Sequence, residues 1–381
     1  MKKALVVTNL RGFVVFLKND IRLLQSMGYQ VYYAANLGAA ANQETMDYLA
    51  SQGVTFCEMP FSSKNPFSKE NIVAYKKLKA LIKEHQFDFI HCHTPIAGFL
   101  TRLAARKARR RGTKVVYTTH GLAFCSTTPK KQWFKFYWME KIASLFCDTI
   151  ITINQEDFAS AKKLWCKDVR YIHGVGVDVA HYQGVDIDKE TYKQQVGIPL
   201  DKTIVLSVGE LSDRKNHQII IKALATLPNK DDYVYVICGR ELTGSGFAQK
   251  LQDMAERLGV HLYLMGHRPD IPEITRCADI GAIPSVREGL GLSGVQCLAA
   301  GVPLVGTAVQ GIKDYVVPGQ TGFLYSPYDV EGYAEGIAFL TEASTREQMV
   351  KQCHEVAWQF DISVSHEEMK QIYESILADK N

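Results

Sequence analysis

Between Ser285 and Thr307 the chain runs SVREGLGLSGVQCLAAGVPLVGT, which sets one carboxylate, Glu288, beside Gly289 and Gly291 at the mouth of a short helical pattern. Glycines there let the backbone come close to a ligand, and the free N–H groups of a helix start, at the positive end of its dipole, attract phosphate. A carboxylate beside an anion site is electrostatically unwelcome unless it holds hydroxyls. The combination therefore suits a molecule that carries both, a sugar nucleotide, although the same turn also serves as a plain strand-to-helix connection. A second stretch, Gly209-Glu210-Leu211-Ser212-Asp213-Arg214-Lys215-Asn216-His217, delivers two adjacent cations just ahead of another helix. Arginine can grip phosphate oxygens with a planar fork and lysine adds a point charge. A solvated turn is the bland alternative. A third loop, Gly266-His267-Arg268-Pro269-Asp270-Ile271-Pro272, could offer backbone groups to a base edge or be an ordinary turn.

Three further features carry chemistry. His91 and His93 alternate along one strand end, the right types for an acceptor site and equally for a hydrogen-bonded structural pair. No additional ligand cluster is in sight, so a zinc reading is set aside. Asp186-Ile187-Asp188 has the Asp-Xaa-Asp pattern of metal-dependent transferases, yet it falls in a polar linker, and no metal is expected. Residues 102–141 hold eleven Lys or Arg and a single acid, Glu140. They divide into an arginine-rich helix (Arg102, Arg106, Lys107, Arg109, Arg110, Arg111) and an aromatic-basic run from Lys130 to Trp138 that includes Lys131, Trp133 and Lys135. Cations interleaved with aromatics suit an interfacial helix on an anionic lipid surface. Nucleic acid would accept the cations too, and a core-packing helix is the alternative to both.

The elements that must position these residues follow an α/β rhythm. With 381 residues, 46% hydrophobic and 22% charged, the chain has room for two globular domains. Apolar runs at Ala4–Thr8, Val31–Ala35, Phe89–His91, Val115–Thr119, Thr149–Ile153 and Val169–Ile172 predict strands, with helical patterns at Phe16–Met27, Lys69–His85 and Gly98–Arg111. From Gly174 to Leu200 the pattern lapses, which places a hinge there. It resumes with strands at Thr203–Gly209, Val234–Gly239, His261–Met265, Ile280–Ile283 and Pro303–Gly306. The expected division is 1–178 for an acceptor-binding domain and 179–363 for a donor-binding domain, with a C-terminal helix, about 364–381, packing back on the first. In parallel sheets ligands bind beyond the carboxyl ends of strands, which is where all the loops above fall. Nine scattered cysteines without a Cys-Xaa-Xaa-Cys pair read as reduced core thiols. No apolar segment is long enough to span a bilayer, and the start is too polar for a signal peptide, so a cytoplasmic protein is expected.

In order and spacing, Gly209-Glu210-Leu211 with Arg214-Lys215-Asn216, then Gly266-His267-Arg268, then Ser285 with Glu288-Gly289-Leu290-Gly291-Leu292, resemble the family 4 retaining glycosyltransferases of GT-B fold. Leu10-Arg11-Gly12-Phe13, His91-Cys92-His93-Thr94-Pro95 and Thr119-His120-Gly121 are similar to members that build bacterial exopolysaccharide or capsule units on a lipid carrier. The resemblance implies two Rossmann-like domains facing across a cleft, and a metal-independent, cofactor-free transfer from a nucleotide sugar, UDP-linked by preference. It implies that Arg214 and Lys215 neutralise the donor diphosphate, that Glu288 binds donor-sugar hydroxyls, and that the backbone at Gly289, Leu290, Gly291 and Leu292 helps. Gly12, Gly209, Gly239, His267, Arg268 and Gln296 complete the donor set, and His120 stands beside the reacting sugar. His93, Arg109, Lys131, Trp133 and Lys135 would face a lipid-linked sugar acceptor at the inner face of the cell membrane, with no role for nucleic acid. Two departures stand out: the family's second Glu is Gln296 here, and its frequent Arg after the first glycine is Glu210. A sugar-nucleotide epimerase of the same architecture and a non-catalytic nucleotide-sugar binder remain the alternatives. A dinucleotide dehydrogenase does not fit, because the loop after the first strand lacks Gly-Xaa-Gly-Xaa-Xaa-Gly spacing.

Overall fold

The computed structural model describes residues 1–38, 43–62, 65–241 and 244–378. The chain forms two compact units, one made of Met1–Val175 together with the residues from Ser363 on, the other of Gly176–Ile362. The first unit runs β1 (Lys2–Leu10), α1 (Lys18–Ser26), β2 (Tyr29–Asn36), α2 (Gln43–Ser51), β3 (Thr55–Glu58), α3 (Lys69–His85), β4 (Phe89–His93), α4 (Pro95–Arg109), β5 (Lys114–Thr119), α5 (Lys130–Ala143), β6 (Thr149–Thr152), α6 (Gln155–Ala161) and β7 (Asp168–Tyr171). The second follows as α7 (Val179–Gln183), α8 (Lys189–Val196), β8 (Thr203–Val208), α9 (His217–Thr226), β9 (Tyr233–Cys238), α10 (Phe247–Leu258), β10 (His261–Gly266), α11 (Ile271–Cys277), β11 (Ile280–Ile283), α12 (Leu292–Ala299), β12 (Leu304–Thr307), α13 (Ile312–Tyr315), β13 (Gly322–Tyr325), α14 (Val330–Thr341) and α15 (Ala343–Trp358). Helix α16 (Ile362–Ala378) then returns to the first unit; the last three residues of the helix expected to reach 381 lie outside the described residues.

Both sheets are parallel throughout, in the orders β3-β2-β1-β4-β5-β6-β7 and β10-β9-β8-β11-β12-β13. Helices cover both faces of such a sheet, so its central strands read as unbroken apolar runs rather than alternating ones. Ala4, Leu5, Val6 and Val7 of β1, and Ile204, Val205 and Leu206 of β8, are accordingly all buried. Strand order reverses between β1 and β4 in the first sheet and between β8 and β11 in the second, and the crevice beyond these switch points is where such sheets take ligands.

The sequence reading missed β3 and β13, both four-residue edge strands without a buried-strand pattern. It also took residues 174–200 as irregular, whereas α7 and α8 lie there, each started by an aspartate that accepts the amide of the third residue on: Asp178 from His181 and Asp188 from Thr191. The Asp-Xaa-Asp pattern is thus the cap of α8. The run from Phe16 to Met27 is shorter than expected as a helix, because Arg11–Phe16 first make a 3-10 turn.

Candidate active site

At the switch point of the second sheet, the loops after β8 and β11 bring four charges into one row. Lys215 Nζ donates to Glu288 Oε2 at 2.6 Å and Arg214 Nη1 to the same oxygen at 3.2 Å. Ser285 Oγ adds a third hydrogen bond to it at 3.2 Å. Glu288 Oε1 makes none among the described residues. The other side of Arg214 donates to Glu210 Oε1 at 3.0 Å. Burial pushes the Glu288 carboxyl up, but the charges of Lys215 and Arg214, with the hydrogen bonds from Lys215 and Ser285, outweigh it and hold the group below the usual glutamate range. Its side chain is only 14% exposed, so the ion pairs are well shielded from water and stronger than surface ones.

The backbone explains why these side chains meet. The amide of Val286 donates to the carbonyl of Arg214 at 2.9 Å, tying the two loops together. Asn216, in the left-handed region at φ 55°, starts α9 and donates its amide to the carbonyls of Pro284 and Pro327. Gly209 leaves room for the stem of Lys215, which a Cβ would meet at 3.0 Å. Gly239 is more constrained still, since a Cβ there would fall 1.7 Å from the carbonyl oxygen of Gly209. Gly291 caps α12 at φ 80°, with Gln310 Oε1 accepting the Glu288 amide nearby. Ser285 and Asn216 both stand in the sequence motif without an assigned role, and Gln310 lies outside it. The signal for Gln310 was a glycine-containing turn, Gln310-Gly311, just past a strand end.

Other expected donor residues stand differently. The guanidinium of Arg268 is taken by Asp270 through two hydrogen bonds of 2.8 and 2.5 Å, and Tyr192 donates to the same carboxylate. Its charge is therefore already matched within its own loop. His267 is exposed, and the side chain of Gln296 sits on the same partly exposed face of α12 as Leu292, with no hydrogen-bond partner among the described residues.

At the switch point of the first sheet, β4 and β5 stack three histidines. His91 is bonded on both ring nitrogens, Nδ1 to Tyr373 OH at 2.6 Å and Nε2 to Thr118 Oγ1 at 2.7 Å. His93 Nδ1 meets His120 Nε2 at 3.1 Å, and the rings of Phe13 and His120 meet edge to face, 4.8 Å between centroids. Phe13 and Gly12 come from the turn after β1, whose Arg11 carbonyl accepts from Tyr33 OH; a Cβ on Gly12 would meet open space. His93 is fully buried. It is therefore not an acceptor-contacting residue as expected, because His120 and His91 cover it at the centre of the sheet. Asp20, His91 and His93 offer one ligand atom each within 4.8 Å, but His91 has both nitrogens committed, so the set does not fit a metal ion.

The basic segment also needs correcting. Arg102 is fully buried, donating to Glu140 at 2.7 Å and stacking 3.9 Å over Tyr117, so the first arginine of that helix serves the core. Arg109 is paired with Asp148 at 2.9 Å. Lys131, Trp133 and Lys135 are exposed, and Trp133 stacks on Tyr137 at 4.9 Å. Next to them α5 and the turn after it leave Phe134, Trp138, Ile142 and Leu145 exposed at helical spacing, joined by Trp165. Lys141 lies about equally over Tyr137, Trp138 and Trp165, at 5.1, 5.3 and 5.1 Å. Among the described residues no helix is long and apolar enough to cross a membrane.

Comparison with known proteins agrees with this architecture. Residues 11–180 match the family model described as Glycosyltransferase Family 4, and residues 188–356 the one described as Glycosyl transferases group 1. The chain is 33% identical to EpsD of Bacillus subtilis (strain 168), named as a glycosyltransferase, over 93% of this chain and 91% of that one. It is 27% identical to the Escherichia coli UDP-Gal:alpha-D-GlcNAc-diphosphoundecaprenol alpha-1,3-galactosyltransferase, over 81% of this chain and 82% of that one. Among solved structures, Anabaena Alr3699/HepE in complex with UDP and glucose superposes with a TM-score of 0.80 at 19% identity, covering 98% of this chain and all of the other. Two parallel Rossmann-like units, both family models in their expected order and a relative one-third identical along nearly its whole length lead to one conclusion: the chain belongs to the family 4 glycosyltransferases of GT-B fold.

Proposed function

We propose that this protein is a retaining, metal-independent glycosyltransferase that moves a hexose or N-acetylhexosamine from a UDP-sugar to a polyprenyl-diphosphate-linked sugar in exopolysaccharide or capsule assembly. The observation that carries the reading is the Lys215–Glu288–Arg214 row at the switch point of the second sheet, with one oxygen of Glu288 unbonded among the described residues. Arg214 and Lys215 face the donor diphosphate, Glu288 Oε1 takes a sugar hydroxyl, and Gln296 stands where a ribose hydroxyl would be met. As the bond from sugar C1 to phosphate breaks, its electron pair stays on the nucleoside diphosphate. Cations and a helix start aimed at that oxygen favour the transition state over the ground state. The acceptor hydroxyl adds to C1 on the face the phosphate leaves, and its proton passes to the departing phosphate oxygen. The names of the relatives support the parts separately: a UDP-galactose donor with a diphosphoundecaprenol-linked acceptor for one, and bound UDP with glucose for another.

The acceptor reading assigns the enzyme to the inner face of the cell membrane. Its support is the outward stripe Phe134, Trp138, Ile142, Leu145 and Trp165, flanked by Lys130, Lys131 and Lys135 and by a groove holding Lys114 and Lys167, in which Arg170 is already paired with Asp168. The decisive experiment is transfer of labelled sugar from UDP-glucose and UDP-galactose to a membrane extract, by wild type and Glu288→Gln, with and without EDTA. Wild-type transfer should survive EDTA and fall at least about 100-fold in the variant, the loss of roughly 3 kcal/mol of transition-state contact. Unchanged transfer by Glu288→Gln would falsify the assignment.

A further inference from the structure

The buried histidines beside Phe13 do more than fill the sheet centre. Burial holds His91 down at about 3 and His120 at about 4, and His93 well below the ordinary histidine range, so near neutral pH all three rings are uncharged. A neutral imidazole carries one N–H and one bare lone pair. The contact between His93 Nδ1 and His120 Nε2 therefore holds a single proton, on one ring or the other. If His120 supplied it, His93 would carry its own proton on Nε2. That nitrogen is buried without any partner among the described residues, and an orphaned N–H there costs about 1–3 kcal/mol. If His93 supplies it, Nε2 is left as a bare lone pair, and interiors tolerate a bare acceptor better than a bare donor. An uncharged carboxyl can donate to a lone pair or accept from an N–H, and only its ionised form would pull strongly on a proton at Nε2. Asp20 has an oxygen within 4.8 Å of a ring nitrogen of His93, and burial raises its carboxyl to about 7.

We infer that His93 is a positioning residue that donates from Nδ1 to Nε2 of His120, locking His120 in the tautomer whose proton sits on Nδ1. Contacts with Phe13 and His93 hold the ring, and the hydrogen bond fixes which nitrogen is protonated. His120 then faces its surroundings as a hydrogen-bond donor only. It can hold a hydroxyl or ring oxygen but cannot take a proton through Nδ1. Resting on the glycosyltransferase reading above, this means that the acceptor proton must leave by another route, which agrees with its transfer to the departing phosphate.

The test is spectroscopic and independent of turnover. The full chain is labelled with 15N-histidine, and long-range 1H–15N spectra at pH 6, where the Asp20 carboxyl is uncharged, separate protonated from unprotonated ring nitrogens. His120→Gln and His93→Gln assign the two rings. The expected pattern is His120 with Nδ1 protonated and Nε2 bare, and His93 with Nδ1 protonated. In His93→Phe, which has no donor, the His120 pattern should move toward protonation at Nε2. A wild-type His120 protonated at Nε2, or a pattern unchanged in folded His93→Phe, overturns the inference. If that variant does not fold, the wild-type spectrum still decides. Transfer by His120→Ala tests the other premise separately, so failure of the lock and failure of the functional reading are told apart.

Discussion

Glu288 uses its two oxygens unequally: Oε2 accepts from Lys215, Arg214 and Ser285, while Oε1 makes no hydrogen bond among the described residues. Counting Glu210, the row holds two cations and two carboxylates, so by itself it carries no net charge. Glu210 holds one side of Arg214, and under the proposed function it would compete with the donor phosphate for that guanidinium. Replacing it by glutamine should tighten UDP binding by about 2- to 5-fold, since exposed pairs of this kind contribute up to about 1 kcal/mol; calorimetry reads this, and unaltered or weaker binding would show that Glu210 does not restrain Arg214. Glu288 and the cation pair were legible in the sequence because charged residues flanking glycines at strand ends have few structural uses. The asymmetry of the carboxylate was not, since it depends on Ser285 and on the backbone tie between Val286 and Arg214, which no residue type reveals. His93 was misplaced for a related reason. A histidine at a strand end can point outward or back, and only the neighbouring strand decides.

Among the elements, the strand-end turns hold the site together. Gly239 lies against the Gly209 carbonyl so closely that a methyl group cannot be accommodated without moving the loop that carries Lys215. Gly239→Ala should lower the melting temperature by several degrees and weaken UDP binding at least about 10-fold, consistent with overpacking costs of about 1–3 kcal/mol. A variant with wild-type affinity would show that the loop yields harmlessly. Helix α1 contributes Asp20, whose raised carboxyl pKa means that ionisation opposes folding. The opposition is absent below the ordinary value of 3.8, grows as pH rises and is complete above about 7. Asp20→Asn should therefore stabilise the protein by on the order of 2 kcal/mol at pH 8, the gain shrinking toward zero as the pH is taken below 4. Equal melting at pH 8 would mean that the carboxylate is solvated in place. Long buried strands such as β1 and β8 announced themselves as apolar runs. The four-residue edges β3 and β13 did not, because half of an edge strand's environment is water and its residues need not be apolar. Helix α5 illustrates the same limit, for its basic and aromatic composition was plain while the stripe it leaves outward depends on what α4 and Phe124 already cover.

For the whole molecule, a net charge of +4 understates the local field around α5. Exposed Phe134, at 61% of its surface, and Trp138 beside it make contact with lipid the simplest use of that stripe. The full chain should sediment with vesicles containing anionic phosphatidylglycerol, less so with pure phosphatidylcholine or at high salt, and the Phe134→Ser/Trp138→Ser double variant should lose most of the binding. Binding that ignores both lipid charge and these substitutions would remove the membrane face from the account. Helix α16 bears on a different matter, the order in which the molecule can be made. Tyr373 reaches back 282 residues to close on His91, and Glu368 reaches back to both the amide and the ring of His173. A ribosome delivers every strand of the first unit early, but the helix that completes it emerges only after the whole second unit. The nascent first unit must therefore wait, its polar centre unfinished, while the unit made later is already complete.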